Sequence, residues 1–134
     1  MDLFSKLKNL KLLIIDDDEW VRNSLRIYFE SEGCNTLALE TAEEGLKVLK
    51  KQDFNIIFID YRLPGIDGIE FIKRIQKKHP KSLKILLTAY GSKEIISEAR
   101  NAGVQDYIAK PFTSEMVEAS LTRLLKNQEH EAQT

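Results

Sequence analysis

With 134 residues, the chain suffices for one compact domain and is too short for two ordinary ones. Its 43% hydrophobic and 31% charged residues are the balance of a globular protein, and a formal net charge of −1 supplies no global field for nucleic acid or an anionic membrane. The lone cysteine, Cys34, excludes an internal disulfide and a thiolate metal cluster. No apolar stretch nears the roughly 20 residues that span a bilayer, and residues 1–8 lack the apolar core of a secretory signal, so a cytoplasmic protein is expected.

Along the chain the apolar period switches repeatedly. Leu12-Leu13-Ile14-Ile15, ending on Asp16-Asp17-Asp18-Glu19, predicts a buried strand over about 11–16. Val21, Leu25, Tyr28 and Phe29 then recur at helical spacing, and Gly33 suits the stop. Residues 34–39 follow as a short strand. Thr41-Ala42-Glu43-Glu44 carries the capping-box pattern and opens a helix to about residue 51, with Leu46 and Leu49 inward. Ile56-Ile57-Phe58-Ile59-Asp60 completes a third strand over 54–60, closed by Pro64-Gly65. Asp67 caps a helix that buries Phe71, Ile72 and Ile75 and ends before Pro80. A fourth strand spans 84–89. A helix over 92–102 presents Ile95, Ile96 and Ala99 and stops at Gly103, and a fifth strand covers 104–109. Thr113 caps the last helix, whose inner face is Val117, Leu121, Leu124 and Leu125. Residues 127–134 are polar and expected to fray as a tail beyond a domain of residues 1–126. Five strands alternating with five helices imply an α/β fold, a doubly wound parallel sheet with helices on both faces.

In an open parallel sheet, ligands sit beyond the carboxyl ends of the strands. Four clusters fall there: Asp16-Asp17-Asp18, Asp60, Thr88 and Lys110-Pro111. Carboxylates from two strands make an oxygen-rich pocket suited to Mg²⁺, and a lysine and a hydroxyl opposite suit an anion, as phosphoryl transfer requires. Each piece alone has a plainer role. The acids make a solvated turn, with Asp18 as a helix cap; Asp60 starts the Pro-Gly turn; Thr88 is a good strand former; Lys110 is a surface lysine. Those roles do not explain why all four fall at one edge.

From about Lys8 to Lys126 the chain resembles the receiver domains of the bacterial response regulators of two-component signalling. The resemblance rests on four ordered motifs: Leu-Leu-Ile-Ile-Asp-Asp-Asp (12–18), Ile-Ile-Phe-Ile-Asp-Tyr-Arg-Leu-Pro-Gly-Ile-Asp-Gly (56–68), Ile-Leu-Leu-Thr-Ala (85–89) and Ala-Gly-Val-Gln-Asp-Tyr-Ile-Ala-Lys-Pro-Phe (102–112). It implies the CheY-like, flavodoxin-like sheet with strand order 2-1-3-4-5. It also implies that Asp60 accepts a phosphoryl group from the phosphohistidine of a kinase or phosphotransfer protein. Asp17 would bind Mg²⁺ directly, Asp16 largely through water, and the Arg62 backbone carbonyl would complete the protein's share of the shell. Thr88 and Lys110 would hold the phosphoryl oxygens, and the Lys110-Pro111 bond would be cis. Thr88 and Tyr107 would form the linked switch read out by the fourth helix, fifth strand and fifth helix. Arg62 and Tyr90, at positions bordering the path of attacking water, would shield the phosphoryl group and lengthen its life.

The chain is thus expected to be a signalling domain rather than an enzyme, though one that catalyses its own phosphorylation and dephosphorylation. It would stand alone and act on a downstream protein target or effector domain, without binding nucleic acid or membrane. Kinase pairing is expected on Arg22, Asn23, Arg26 and Phe112-Thr113-Ser114. Two other classes compete with this reading. A Mg²⁺-dependent phosphatase with an aspartyl nucleophile often carries a second acid two residues on, but Arg62 stands there. A phosphorylation-independent interaction module fits poorly with the complete set of Asp16, Asp17, Asp60, Thr88 and Lys110. The winged-helix type of dimer needs an arginine in mid-helix where this chain has Ser120, so Asp106 alone matches that set and other homodimers stay open. Trp20 either reports on the acidic site or packs at the first helix, blind to it.

Overall fold

The computed structural model of the chain describes residues 2–89 and 91–133. In chain order the elements are α1 (Leu3–Leu7), β1 (Lys11–Ile15), α2 (Glu19–Ser31), β2 (Asn35–Leu39), α3 (Ala42–Leu49), β3 (Ile56–Asp60), α4 (Gly68–Ile75), β4 (Leu83–Thr88), α5 (Lys93–Ala102), β5 (Asp106–Ala109) and α6 (Ser114–Gln133). The five strands form one parallel sheet in the order β2-β1-β3-β4-β5. No described helix is long and apolar enough to cross a membrane.

Alternation along each strand divides the interior in two. Leu12, Ile14, Ile56, Phe58, Ile85, Leu87 and Ile108 face one side, where α2 adds Leu25 and Phe29 and α6 adds Val117, Leu121, Leu124 and Leu125. Leu13, Ile15, Ile57, Ile59 and Leu86 face the other side, against Leu49 of α3, the Ile69, Phe71, Ile72 and Ile75 of α4, and Ala99 of α5. Burial of both faces is why these strands are almost unbroken apolar runs.

The caps predicted at Asp18, Thr41 and Asp67 are present, and Ser92 adds one the sequence reading did not name. Asp18, Thr41, Asp67 and Ser92 each accept from a backbone N–H of the helix that follows, and Thr41 with Glu44 completes the capping box. The Thr113 hydroxyl accepts from Met116 N at 3.3 Å. Gly103 ends α5 at φ 120°, a backbone conformation that only glycine adopts without strain.

Two expectations fail at the chain ends, for a shared reason. A short helix, α1, precedes the first strand, so the helices number six among the described residues. Its Leu7 is fully buried, and Phe4 meets Tyr28 edge to face at 5.9 Å between ring centroids. The expected tail does not fray at 127, because α6 continues to Gln133. No Gly or Pro interrupts that stretch, and Lys6 of α1 pairs with Glu129 of α6 at 2.9 Å. Each end supports the other, a long-range contact that local pattern cannot reveal.

Candidate functional site

Parallel pairing sends the carboxyl ends of β1, β3, β4 and β5 to one edge, and the four sequence clusters meet there. Asp16 directly follows β1; its N–H donates to Leu39 O at 3.1 Å. Its Oδ1 accepts from Asp18 N at 2.9 Å, while the Asp18 carboxylate accepts from Trp20 N at 2.9 Å and Val21 N at 3.3 Å. Asp18 therefore serves as the helix cap, and the turn it closes buries Asp16 and leaves Asp17 exposed. Arg22, farther along α2, donates from Nη1 to the Asp16 carbonyl at 2.9 Å. The sequence offered no sign of this brace, because the spacing matters only once α2 has folded back over the turn.

Asp60 ends β3 at 7% exposure. The start of α4 lies so close behind it that a Cβ on Gly68 would stand 2.4 Å from the Asp60 carbonyl oxygen, so glycine is required there by space. Thr88, 1% exposed, ends β4, and its carbonyl accepts from Lys110 N at 2.8 Å. The Lys110-Pro111 peptide is cis. Lys110 Nζ lies 2.8 Å from Asp16 Oδ2 and 3.2 Å from Asp60 Oδ1. Asp16, Asp17 and Asp60 each offer a carboxylate oxygen, all within 4.8 Å of one another.

The electrostatics follow from burial and crowding. Burial, reinforced by the Asp16 charge, pushes the Asp60 carboxyl up to about 6 against the pull of Lys110. Burial also raises Asp16. Burial pulls Lys110 the other way, but the Asp16 and Asp60 carboxylates outweigh it and hold the ammonium raised. One ammonium faces two carboxylates, and the Asp17 carboxylate lies beside that pair. Asp16 Oδ2 is buried and touches that ammonium as a charge partner, yet makes no aligned hydrogen bond. An all-oxygen donor set, excess negative charge and an open acceptor are what a hard divalent cation needs.

The other predicted residues divide. Arg62 is exposed on the loop after β3. Tyr107 is half-buried on β5 beside the second core, its Cε2 4.0 Å from where a Cβ on Gly91 would stand. Tyr90 lies outside the described residues. Trp20 is 84% exposed, which excludes its packing at the helix. Ser120 is 2% exposed and donates to Asp106 Oδ2 at 2.6 Å, and Arg123 pairs with the same oxygen. Asp106 is thus satisfied within the chain. Arg123 was missed although it lies three residues past Ser120, on the same helical face.

A doubly wound sheet with a carboxylate cluster, a hydroxyl and a lysine at its carboxyl edge defines a phosphoacceptor type of α/β domain. Residues 12–122 match the family described as the response regulator receiver domain, and the chain belongs to that family. It is 30% identical over 119 residues to the sporulation initiation phosphotransferase F of Bacillus subtilis, covering 89% of this chain and 96% of that protein. It is also 30% identical over 118 residues to a cyclic di-GMP phosphodiesterase of Thermotoga maritima, covering 88% of this chain but only 32% of that longer protein. Among solved structures, a CheY-like receiver domain protein from Methanospirillum hungatei superposes with a TM-score of 0.85 at 33% identity, covering 91% of this chain and 98% of that one. The chain is a receiver domain of two-component signalling, homologous to phosphoacceptor proteins.

Proposed function

We propose that Asp60 is the phosphoacceptor. A carboxylate oxygen of Asp60 attacks phosphorus, the N–P bond of a donor phosphohistidine breaks, and the imidazole leaves with the electron pair. The carrying observation is the convergence of Asp16, Asp17, Asp60 and Lys110 at one sheet edge. Asp17 and Asp60, the Asp16 carboxylate through water, and the Arg62 carbonyl would hold Mg²⁺, which when bound supplies positive charge opposite the phosphoryl oxygens. The chain's own residues do the rest. Lys110 pairs with a phosphoryl oxygen, the Thr88 hydroxyl donates to another, and the strand ends fix the nucleophile in line. The same pocket admits water for the reverse loss of phosphate, so the domain catalyses both its phosphorylation and its dephosphorylation.

Movement of Thr88 toward the phosphoryl group would let Tyr107 turn inward from its half-buried position, shifting a two-state packing of α5, β5 and α6 toward the form a downstream target binds. The donor would be a histidine kinase or phosphotransfer protein docking on Arg22, Asn23 and Arg26 of α2 and on Phe112-Thr113-Ser114. Trp20 and Ile27, at 84% and 58% exposure, extend that face with apolar surface. The setting is the cytoplasm, where the donor's phosphohistidine is formed. Arg62 and Tyr90 would shield the phosphoryl group from water, giving an aspartyl phosphate that lasts minutes to hours. An Arg62→Asn, Tyr90→Ala variant that loses phosphate no faster than the wild type would remove that part of the proposal.

The central test is intact mass after incubation with Mg²⁺ and acetyl phosphate. One added phosphoryl group in the wild type, absent in Asp60→Asn and after chelation, is the expected result. An adduct that persists in Asp60→Asn would overturn the assignment.

A further inference from the structure

The two edges of the sheet differ in charge on the side covered by α3 and α4: there the amino edge is basic, while exposed Glu30, Glu32, Glu129 and Glu131 stand at the α2 and α6 ends of the same edge. Six exposed lysines mark the amino edge: Lys47, Lys50 and Lys51 at the end of α3, and Lys77, Lys78 and Lys81 beyond the end of α4. Parallel topology puts both helix ends there, and the hydrogen bond between His79 Nε2 and the Leu49 carbonyl, at 2.9 Å, draws the two groups onto one surface. None of the six has a carboxylate partner among the ion pairs of the described residues. The acid nearest by sequence, Asp53, faces His79 Nδ1 at 3.3 Å. At the opposite edge Asp17, Glu19, Glu40, Glu43, Asp67 and Glu94 are all exposed, with Arg62 and Lys93 as exposed cations among them. Helix dipoles favour this sorting, but a single cation per helix end satisfies them. Three unpaired lysines at each of two neighbouring ends repel one another and exceed that need.

We propose that the lysine edge of one copy docks on the carboxylate edge of a second copy, head to tail. A net charge of −1 leaves almost no overall repulsion between copies, so attraction between opposite edges is unopposed. The contact is heterologous, since each copy offers a different edge. Other polyanions fit the lysine edge less well. Among the described residues the large exposed apolar side chains, Trp20, Ile27 and Met116, lie on α2 and α6, and Leu49, Phe54 and Leu83 at the lysine edge are buried. Asn55 and Ser82 spend their side chains on Lys11 N and Phe54 O. Among the described residues the edge therefore offers no stacking platform for single-stranded nucleic acid and no apolar wedge for a membrane. The carboxylate edge holds Trp20, the chain's single tryptophan, whose exposed face can take an incoming ammonium. Docking of this kind covers the pocket of Asp16, Asp17 and Asp60.

Sedimentation of the full chain at rising concentration tests this. In about 10 mM salt the weight-average mass should climb with concentration, and at about 150 mM salt, where screening sets in within about 8 Å, association should weaken at least about tenfold. Lys50→Gln/Lys51→Gln/Lys78→Gln and Glu19→Gln/Glu40→Gln/Glu94→Gln should each stay monomeric alone. Mixed, they retain one intact interface and should form a 1:1 pair and nothing larger. A control with the same net charge as the lysine variant, Arg26→Gln/Lys73→Gln/Lys126→Gln, should associate as the wild type does. A wild type that stays monomeric at low salt overturns the proposal. So does association that survives in the lysine variant, or a monomeric wild type that instead binds a DNA duplex or phosphatidylserine vesicles under the same conditions.

Discussion

Lys84 and Lys110 are both drawn into the fold, at opposite ends of the sheet, and their surroundings differ in kind. Lys84 is fully buried on β4, and its Nζ donates to the carbonyls of His79 and Ser82, with the latter contact at 3.1 Å. Its own N–H meets Gln105 Oε1 at 2.7 Å, and Ser82 Oγ reaches Phe54 O at 2.7 Å, so the loop entering β4 is pinned on all sides. Neutral acceptors satisfy that charge, though burial still pulls it down to about 8. Lys110 faces the carboxylates of Asp16 and Asp60 instead, with Asp17 beside those two and Asp16 Oδ2 lacking an aligned hydrogen bond. Around Lys84, then, the buried polar groups are used up in holding the chain together. At the carboxyl end they are left under-compensated, in a form that a cation and a phosphoryl group would complete.

The largest expected effect falls at the carboxyl end. Lys110→Ala should slow phosphoryl uptake from acetyl phosphate about 100-fold, followed as the growth of the adduct mass, because the charge opposite the phosphoryl oxygens is gone. Lys84→Met should leave that uptake unchanged while costing about 2–3 kcal/mol in urea unfolding, since two buried carbonyls lose their donor. Equal slowing of uptake by both variants would erase the distinction between the ends. The acid–base behaviour sharpens it. Because the Lys84 pKa is lower folded than unfolded, the unfolded chain binds more protons between about 8 and 10.5, and stability should rise with pH across that window in the wild type but not in Lys84→Met.

Asp60 runs the opposite way. Its folded value of about 6 lies above the ordinary 3.8 of an aspartate, so the folded chain binds more protons between them. Without Mg²⁺, stability should fall as pH rises from about 4 to about 6, by on the order of 2 kcal/mol, and Asp60→Asn should flatten the fall. Thermal unfolding across that range measures it. A smaller effect is expected away from both ends. Ser120→Ala removes one donor from the buried Asp106 carboxylate and should cost about 1 kcal/mol, because Arg123 still holds the same oxygen.

Much of this was legible along the chain because the signals are local. The Thr41–Glu44 capping box, the Asp67 cap and the Gly103 stop lie within a few residues of what they control, and each is formed as expected. Strands buried on both faces show up as apolar runs without any knowledge of their neighbours. Boundaries were less legible. The third and fifth strands begin two residues later than expected, at Ile56 and Asp106, because Phe54 and Val104 are buried by packing outside the sheet ladder. The helix α1, the continuation of α6 to Gln133, the Arg22 brace and the Arg123–Asp106 pair all join residues whose closeness exists only after folding.

The sequence by itself determined the alternating architecture, the edge at which chemistry could occur, and the membership of Asp16, Asp17, Asp60, Thr88 and Lys110 in one cluster, because hydrophobic period and strand-end position are properties of short segments. Only the tertiary structure decided how charge is distributed among them: that Lys110 reaches both Asp16 and Asp60, that Asp16 is buried and Asp17 exposed, that Asp60 is raised, and that the lysines ending α3 and following α4 meet on one surface. Electrostatic energy depends on distance through space and on burial, and neither can be read from separation along the chain.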